Sequence, residues 1–198
     1  MIPIHTYLLL CYNLLRITCH KLFHPKRYQV HPIQRISPRA ALKLFGKATL
    51  HIGYNTEISA GCDFEAHGNG TLTIGEGTYF NRYCMISAHE SVRIGKHCMF
   101  GPGVKIFDNN HRFSKEEGVS SQLNCEAITI GDRCWIASDA IILKGTHIGD
   151  HCVIGAGCLV SGDIPAGSIV KRHPDTVCIP MHPSEFPAVS SETAVRKQ

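Results

Sequence analysis

The sequence predicts an all-β solenoid: a triangular parallel β-helix of about five coils, with an N-terminal helix before it and a C-terminal tail after it. Three observations predict this. Ile-Gly pairs recur at Ile52-Gly53, Ile74-Gly75, Ile94-Gly95, Ile130-Gly131, Ile148-Gly149 and Ile154-Gly155. Apolar residues fall every six positions: Ile52, Ile58 and Phe64; Ile74, Phe80 and Ile86; Ile94, Phe100 and Ile106; then unbroken from Ile130 through Ile136, Ile142, Ile148 and Ile154 to Val160. Four positions after each sits a mostly small residue, such as Thr56, Cys62, Thr78, Cys84, Cys98, Val104, Cys134, Ala140, Thr146, Cys152 and Cys158. Neither a helix nor a plain strand has period six, whereas a chain that turns after each short strand does. Three such edges close a coil, and coils stack as parallel strands about 4.8 Å apart. The count places coils at 52–69, 74–91, 94–111, 130–147 and 148–165, with Gly easing the tight corners.

Taken in order, residues 1–47 read as an amphipathic helix and linker. Ile4, Tyr7, Leu8, Cys11, Leu14 and Leu15 recur at helical spacing. The apolar run Tyr7–Ile17 is shorter than the roughly 20 residues that span a bilayer, and no signal-peptide pattern frames it. The helix is expected to pack on the body or cap one end; His20, Lys21, Lys26 and Arg27 leave peripheral contact with anionic lipid as the other reading. Residues 48–170 form the β-helix, interrupted by an inserted loop at 112–127. Residues 171–198 form a tail, and the Pro-rich stretch from Pro165 to Pro187 is expected to help cover the far end of the stack. Without a leader, the chain is expected in the cytoplasm with reduced thiols.

Composition narrows the function. Of the 198 residues, 43% are hydrophobic and 18% charged, an ordinary globular balance, and the formal charge is +4. No dense basic stripe with interleaved aromatics marks a nucleic-acid binder. Six of the ten cysteines occupy the small-residue slot, so they read as core fillers. The absence of Cys-x-x-Cys spacing weakens a zinc reading, and no metal is expected.

With these residues in view, the chain resembles the hexapeptide-repeat acyltransferases over about residues 48–180. The most specific stretches are Gly101-Pro102-Gly103-Val104 through Asp108-Asn109-Asn110-His111-Arg112-Phe113, Ile128 to Ile136 with Trp135, Ile154 to Val160, and Asp163-Ile164-Pro165. Within that family it is most similar to sugar O-acetyltransferases of the galactoside, maltose and surface-polysaccharide kind. The resemblance implies a left-handed coil, a homotrimer, acetyl-CoA in a groove between neighbouring prisms, and a sugar or glycan acceptor framed by the inserted loop.

It also implies site residues. His111 matches the catalytic histidine, and an imidazole suits the task because its ordinary pKa, about 6.5, lies near working pH. It would take the proton of a sugar hydroxyl in a direct transfer, with no cysteine nucleophile required. Asp108, Glu116, Glu117 or a backbone carbonyl would orient its ring. Asn81 matches an acceptor-contacting Asn and also reads as a plain turn residue. Trp135 either lines the donor groove or is mere packing. Ser138 and Ala156 match positions touching the pantetheine arm, and Ser161 falls at a further donor position.

Departures from the family pattern are specific. Ala137 stands where relatives often carry Gly, and Ser161-Gly162 where they carry Thr-Lys. Thr176 and Ile179 replace customary basic residues, so Lys171 and Arg172 are the candidate phosphate contacts. Ala88-His89 replaces acidic residues that help hold a free sugar, which favours a lipid-linked, polymeric or nucleotide-linked acceptor. Three alternatives stand beside this reading. One is transfer to an amine or to serine. Another is a non-catalytic scaffold. The third, a γ-type carbonic anhydrase, is disfavoured because His111 has no histidine five residues away.

Overall fold

In the computed structural model, which describes residues 4–172, the six-residue period becomes three parallel sheets wound as a left-handed coil. The faces are named A, B and C in the order the chain visits them. The first coil contributes Tyr28–Val30, Arg35–Ile36 and Ala41–Leu44; the second Thr49–Ile52, Glu57–Ile58 and Asp63–Ala66; the third Thr71–Ile74, Tyr79–Phe80 and Met85–Ala88. The fourth runs through Ser91–Ile94, Met99–Phe100 and Lys105–Phe107, the fifth through Ile128–Ile130, Trp135–Ile136 and Ile141–Leu143, and the sixth through His147–Ile148, Val153–Ile154 and Leu159–Val160. Asp163–Ile164 and Ile169–Val170 add two strands of a seventh. The six-spaced residues stack in register, as in Ile52↔Ile74↔Ile94↔Ile130↔Ile148 on face A, and all of them are buried.

The stack therefore begins a coil earlier than the Ile-Gly pairs indicate, and residues 28–44 are solenoid rather than linker. Val30, Ile36 and Leu42 keep the six-residue spacing, but no glycine follows them. Gln34 fills the small-residue slot instead, wholly buried, donating to the Gly53 carbonyl at 2.7 Å and accepting from the Thr56 N–H at 2.9 Å. Coil length also departs from a strict 18. Leu50 pairs Leu72 and Leu72 pairs Val92, while six-residue spacing holds at the A–B and B–C corners. The additional residues sit at the C–A corner, in turns such as Phe45–Ala48 and His67–Gly70.

The A–B corner shows why Gly and Cys recur. The Gly131 N–H donates to Ile148 O at 2.8 Å, and a Cβ there would lie 2.6 Å from the Asp150 nitrogen and 2.7 Å from the Gly149 carbonyl carbon. Close approach between coils, rather than an unusual φ, selects this glycine. Its carbonyl accepts from the Cys98 thiol at 3.1 Å; likewise Cys134 donates to Gly149 O at 3.1 Å and Thr78 to Gly95 O at 2.9 Å. The slot holds a small side chain that is also a donor, so Thr and Cys interchange there. The thiols are more than the apolar fillers their sequence pattern suggests.

The helix α1, Ile4–Phe23, caps the first coil with the face opposite to the one its pattern indicates. Ile4, Tyr7, Leu8, Cys11, Leu14 and Leu15 are all exposed, whereas Asn13 and Ile17 are buried. The first coil presents carbonyls with no coil above them, and these select polar partners. Asn13 Nδ2 donates to Ile36 O at 2.9 Å, and Arg16 Nη2 to Ala40 O at 3.2 Å. The expected Pro-rich cover of the far end lies, beyond Arg172, outside the described residues.

If the donor matters more than the volume, Cys98→Thr will be tolerated better than the isosteric Cys98→Val. Urea denaturation should find the Val variant less stable by about 1 kcal/mol, the net worth of one hydrogen bond.

Candidate active site

The fourth coil ends at Phe107, and the chain leaves the C–A corner as an antiparallel hairpin, Asn109–Ser114 with Gly118–Cys125. The insertion expected as a loop from residue 112 is thus an ordered two-stranded arm that starts before His111. Its base is fixed by Asp108, whose carboxylate is fully buried. It accepts the N–H groups of His89 at 2.8 and 3.0 Å, Glu90 at 2.8 Å and Ser91 at 2.9 Å, with Asn109 Nδ2 at 3.2 Å. Three converging N–H dipoles compensate a buried carboxylate that has no cationic partner among the described residues. On the return side, Glu126 N–H donates to Asp108 O at 2.9 Å, and the Glu126 carboxylate pairs with Lys144.

His111 lies opposite Leu123 in the arm, where the strand register shifts before Phe113. Its Nδ1 is 2.9 Å from the Ser120 carbonyl oxygen. A carbonyl only accepts, so Nδ1 carries the proton and Nε2 presents its lone pair. Of the orienting groups the sequence allows, the backbone carbonyl is the one used. Asp108 is committed to the arm's base, and nothing in residue 120's identity signals the contact. His111 is solvent-exposed in a single chain.

Five of the other candidates share a different place, the B–C corner. Successive turns stack there through Asn81 N–H to Phe100 O at 2.9 Å, Gly101 N–H to Ile136 O at 2.8 Å, Ala137 N–H to Ile154 O at 2.8 Å and Gly155 N–H to Val170 O at 2.8 Å. The ridge therefore runs Asn81, Gly101-Pro102, Ala137-Ser138, Gly155-Ala156, Lys171-Arg172. Ser138 is half-buried, while Ala156, Lys171 and Arg172 are exposed. Asn81 Oδ1 accepts the Arg82 N–H at 2.8 Å, so it does stabilise its turn. Trp135 projects from face B beside this ridge, 52% exposed, and is not core packing. Ser161 lies apart from these, at the C–A corner two coils beyond the hairpin. One copy of the chain thus separates His111 and Ser161 from the ridge by the width of face C.

Thiol chemistry finds no support. Cys98 and Cys134 are buried, and each thiol is committed to a backbone carbonyl of the following coil, Gly131 O and Gly149 O, at 3.1 Å. The pKa of Cys125, nearest the arm's base, is pushed up, by burial and then by the Asp108 charge. Behind the arm, Phe45, His67 and His89 stack at 4.6 and 4.5 Å. Burial, then neighbouring His67, holds the His89 imidazole below its usual pKa and so favours its neutral form. A cleft of about 430 Å³ lies elsewhere, along face A between Arg93, Thr129, Asp132 and Asp150, and none of the candidates lines it.

Comparison with known proteins bears on this arrangement. The family described as bacterial transferase hexapeptide (six repeats) matches residues 127–162. WbbJ of Escherichia coli K12, assigned to lipopolysaccharide biosynthesis as an O-acetyl transferase, is 30% identical over 135 residues, covering 64% of this chain and 69% of that protein. The galactoside O-acetyltransferase of Escherichia coli K12 is 34% identical over 84 residues, 42% of this chain and 41% of that one, so the match spans less than half of that enzyme. Among solved structures, a mutant of AntD, an N-acyltransferase from Bacillus cereus in complex with dTDP and coenzyme A, has the same fold, with a TM-score of 0.62 and 17% identity over 76% of this chain and 82% of that one.

The buried acceptor at the arm's base is testable. Asp108→Ala, which strands three backbone N–H groups, should destabilise the protein by about 3 kcal/mol. Asp108→Asn keeps the shape but turns a donor toward donors, and chemical denaturation should show it recovering little of that loss.

Proposed function

The chain belongs to the hexapeptide-repeat acetyltransferases, and on that premise we propose that it transfers the acetyl group of acetyl-CoA to a hydroxyl of a sugar or glycan. The observation that carries the proposal is His111, held on a two-stranded arm with Nδ1 protonated against the Ser120 carbonyl and Nε2 free to act as a base. Sugar O-acetylation agrees with the relatives named above, and the replacement of acidic residues by Ala88-His89 favours a polymeric, lipid-linked or nucleotide-linked acceptor over a small free sugar.

The residues divide the work as follows. The B–C ridge fits an extended donor, because its exposed turns carry small side chains and end in two cations, Lys171 and Arg172, suited to phosphate. Acetyl-CoA supplies an acyl group activated as a thioester. His111 Nε2 takes the proton as the acceptor hydroxyl forms its bond to the acetyl carbon, and the resulting imidazolium returns that proton to the sulfur as the C–S bond breaks. Asn81, through its side-chain amide, would bind an acceptor hydroxyl. The Ser120 carbonyl stabilises the imidazolium and holds its orientation.

Because one copy separates the base from the ridge, the site is completed between copies, in a homotrimer. Face B supports this. Beyond the Arg35–Glu57 pair of the first two coils, its outward column Tyr79, Met99, Trp135, Val153 and Ile169 is apolar, with Met99 56% and Ile169 68% exposed. The corresponding column of face A is polar, running His51, Thr73, Arg93, Thr129, His147 and Asp163.

Thiol release from acetyl-CoA, followed over sugar, amino-sugar, nucleotide-sugar and lipid-linked acceptors, tests the reading. His111→Ala should lower kcat by about 10²-fold or more, and Trp135→Ala should raise KM for acetyl-CoA with little change in kcat. Acceptor-independent release, or an unchanged rate in His111→Ala, would overturn it. Met99→Asp should convert trimer to monomer in light scattering and abolish transfer together.

A further inference from the structure

We propose that α1 is a peripheral membrane anchor that lays its outward face on an anionic lipid surface. The helix is inverted relative to an ordinary capping helix. Its polar side, Asn13 and Arg16, is spent on the open carbonyls of the first coil, and His20 stacks on Tyr28 at 4.8 Å. Its apolar side is left outward: Ile4 is 79% exposed, Leu8 67%, Leu15 68%, Leu22 77% and Phe23 75%. These recur near i, i+4, i+11 and i+18, one face of a 20-residue helix. A contiguous apolar stripe of this size on a surface marks an interaction site.

Charge identifies the occupant. From its start to Thr56 the chain carries eight lysines and arginines and no aspartate or glutamate; the first acid is Glu57. The remainder holds twelve basic and sixteen acidic residues, so the excess positive charge is confined to the helix and the coils beside it. Lys26, Arg39 and Lys47 are exposed and have no acidic partner among the described residues. Arg35 and Lys43 are paired with the second-coil acids Glu57, Asp63 and Glu65, but an apolar face with unpaired cations beside it still matches a bilayer surface rich in anionic headgroups, where each nearby cation contributes about 1 kcal/mol. No helix of the described residues is long and apolar enough to cross a membrane, so the contact is interfacial. Where the acyl-transfer reading also holds, the arm bearing His111 leaves three coil spacings from the first coil, about 14 Å along the axis. That places the base within reach of a glycan anchored in the same lipid layer.

The test is flotation of the full chain with phosphatidylcholine vesicles, with and without 30% phosphatidylglycerol, in ~0.1 and ~0.5 M salt. The protein should float with the anionic vesicles, bind neutral ones at least about tenfold more weakly, and lose binding as salt rises. Leu8→Glu combined with Leu15→Glu should reduce binding at least about tenfold while leaving the unfolding midpoint and transfer to a soluble acceptor unchanged, because neither side chain packs on the solenoid. Failure to float with either vesicle overturns the proposal, as does equal flotation of the double variant. A change in oligomeric mass in the double variant without any lipid binding would assign the face to contact between copies. Flotation needs no turnover, so its failure is distinguishable from failure of the acyl-transfer reading.

Discussion

Each coil stands one strand spacing from the next, held there by the parallel backbone ladder, and the rest of the molecule answers to that spacing. At the corners the chain turns within a few residues, and carbonyls there fall out of the strand ladder. The slot side chains supply the missing donors, as Thr78 and Cys98 do to the glycines of the following coil. The same spacing excludes a Cβ at Gly131, where the next coil's backbone lies within 3 Å. At the first coil there is no preceding layer, and Asn13 and Arg16 from the helix take over its carbonyls. Abundant cysteine, recurrent Ile-Gly and a helix turned apolar side out are thus three consequences of one ladder.

The corners are not equivalent. At A–B and B–C the six-residue step is kept from coil to coil, because an added residue would move glycines and slot donors out of alignment. At C–A the chain leaves and re-enters the stack, so extra length is absorbed outside it. The longer turns of the early coils and the His111 arm both exploit this, and Asp108 shows what the excursion requires. A buried carboxylate gathers the backbone donors exposed where the arm departs. The proposed base, His111, is therefore mounted on the one corner that tolerates insertion, while the ridge occupies a corner that insertion would destroy.

Much of this was legible from period alone. Ile52 through Val160 announce the coils, and the placement of Ser138 and Ala156 on successive turns follows from a step of 18. The first coil escaped because Gln34 replaces a small slot residue and no glycine marks the corner, although Val30, Ile36 and Leu42 keep the step. The cap itself was legible, but the face it uses was not, for a physical reason: an apolar stripe faces inward only if the surface it meets is apolar, and the end of a β-solenoid presents carbonyls that select Asn13 and Arg16. Ser120 left no signal, since a main-chain oxygen is supplied by any residue. Asp108 was visible as a candidate, but its partners are backbone groups of residues 89–91, which spacing does not reveal.

The His111 arm and the B–C ridge stand on different corners of the prism, and side-chain motion does not bring them together because face C lies between. In the proposed trimer a second prism would solve this without deforming either one, by bringing its own His111 corner beside the first copy's Trp135 and ridge. Cyclic symmetry then repeats the junction and also points every copy's first coil the same way along the axis. Three helices would meet one surface together, and weak contacts that act together bind far more tightly than any one alone. The geometry that completes the proposed active site between copies is the same geometry that would make a single marginal helix an effective anchor.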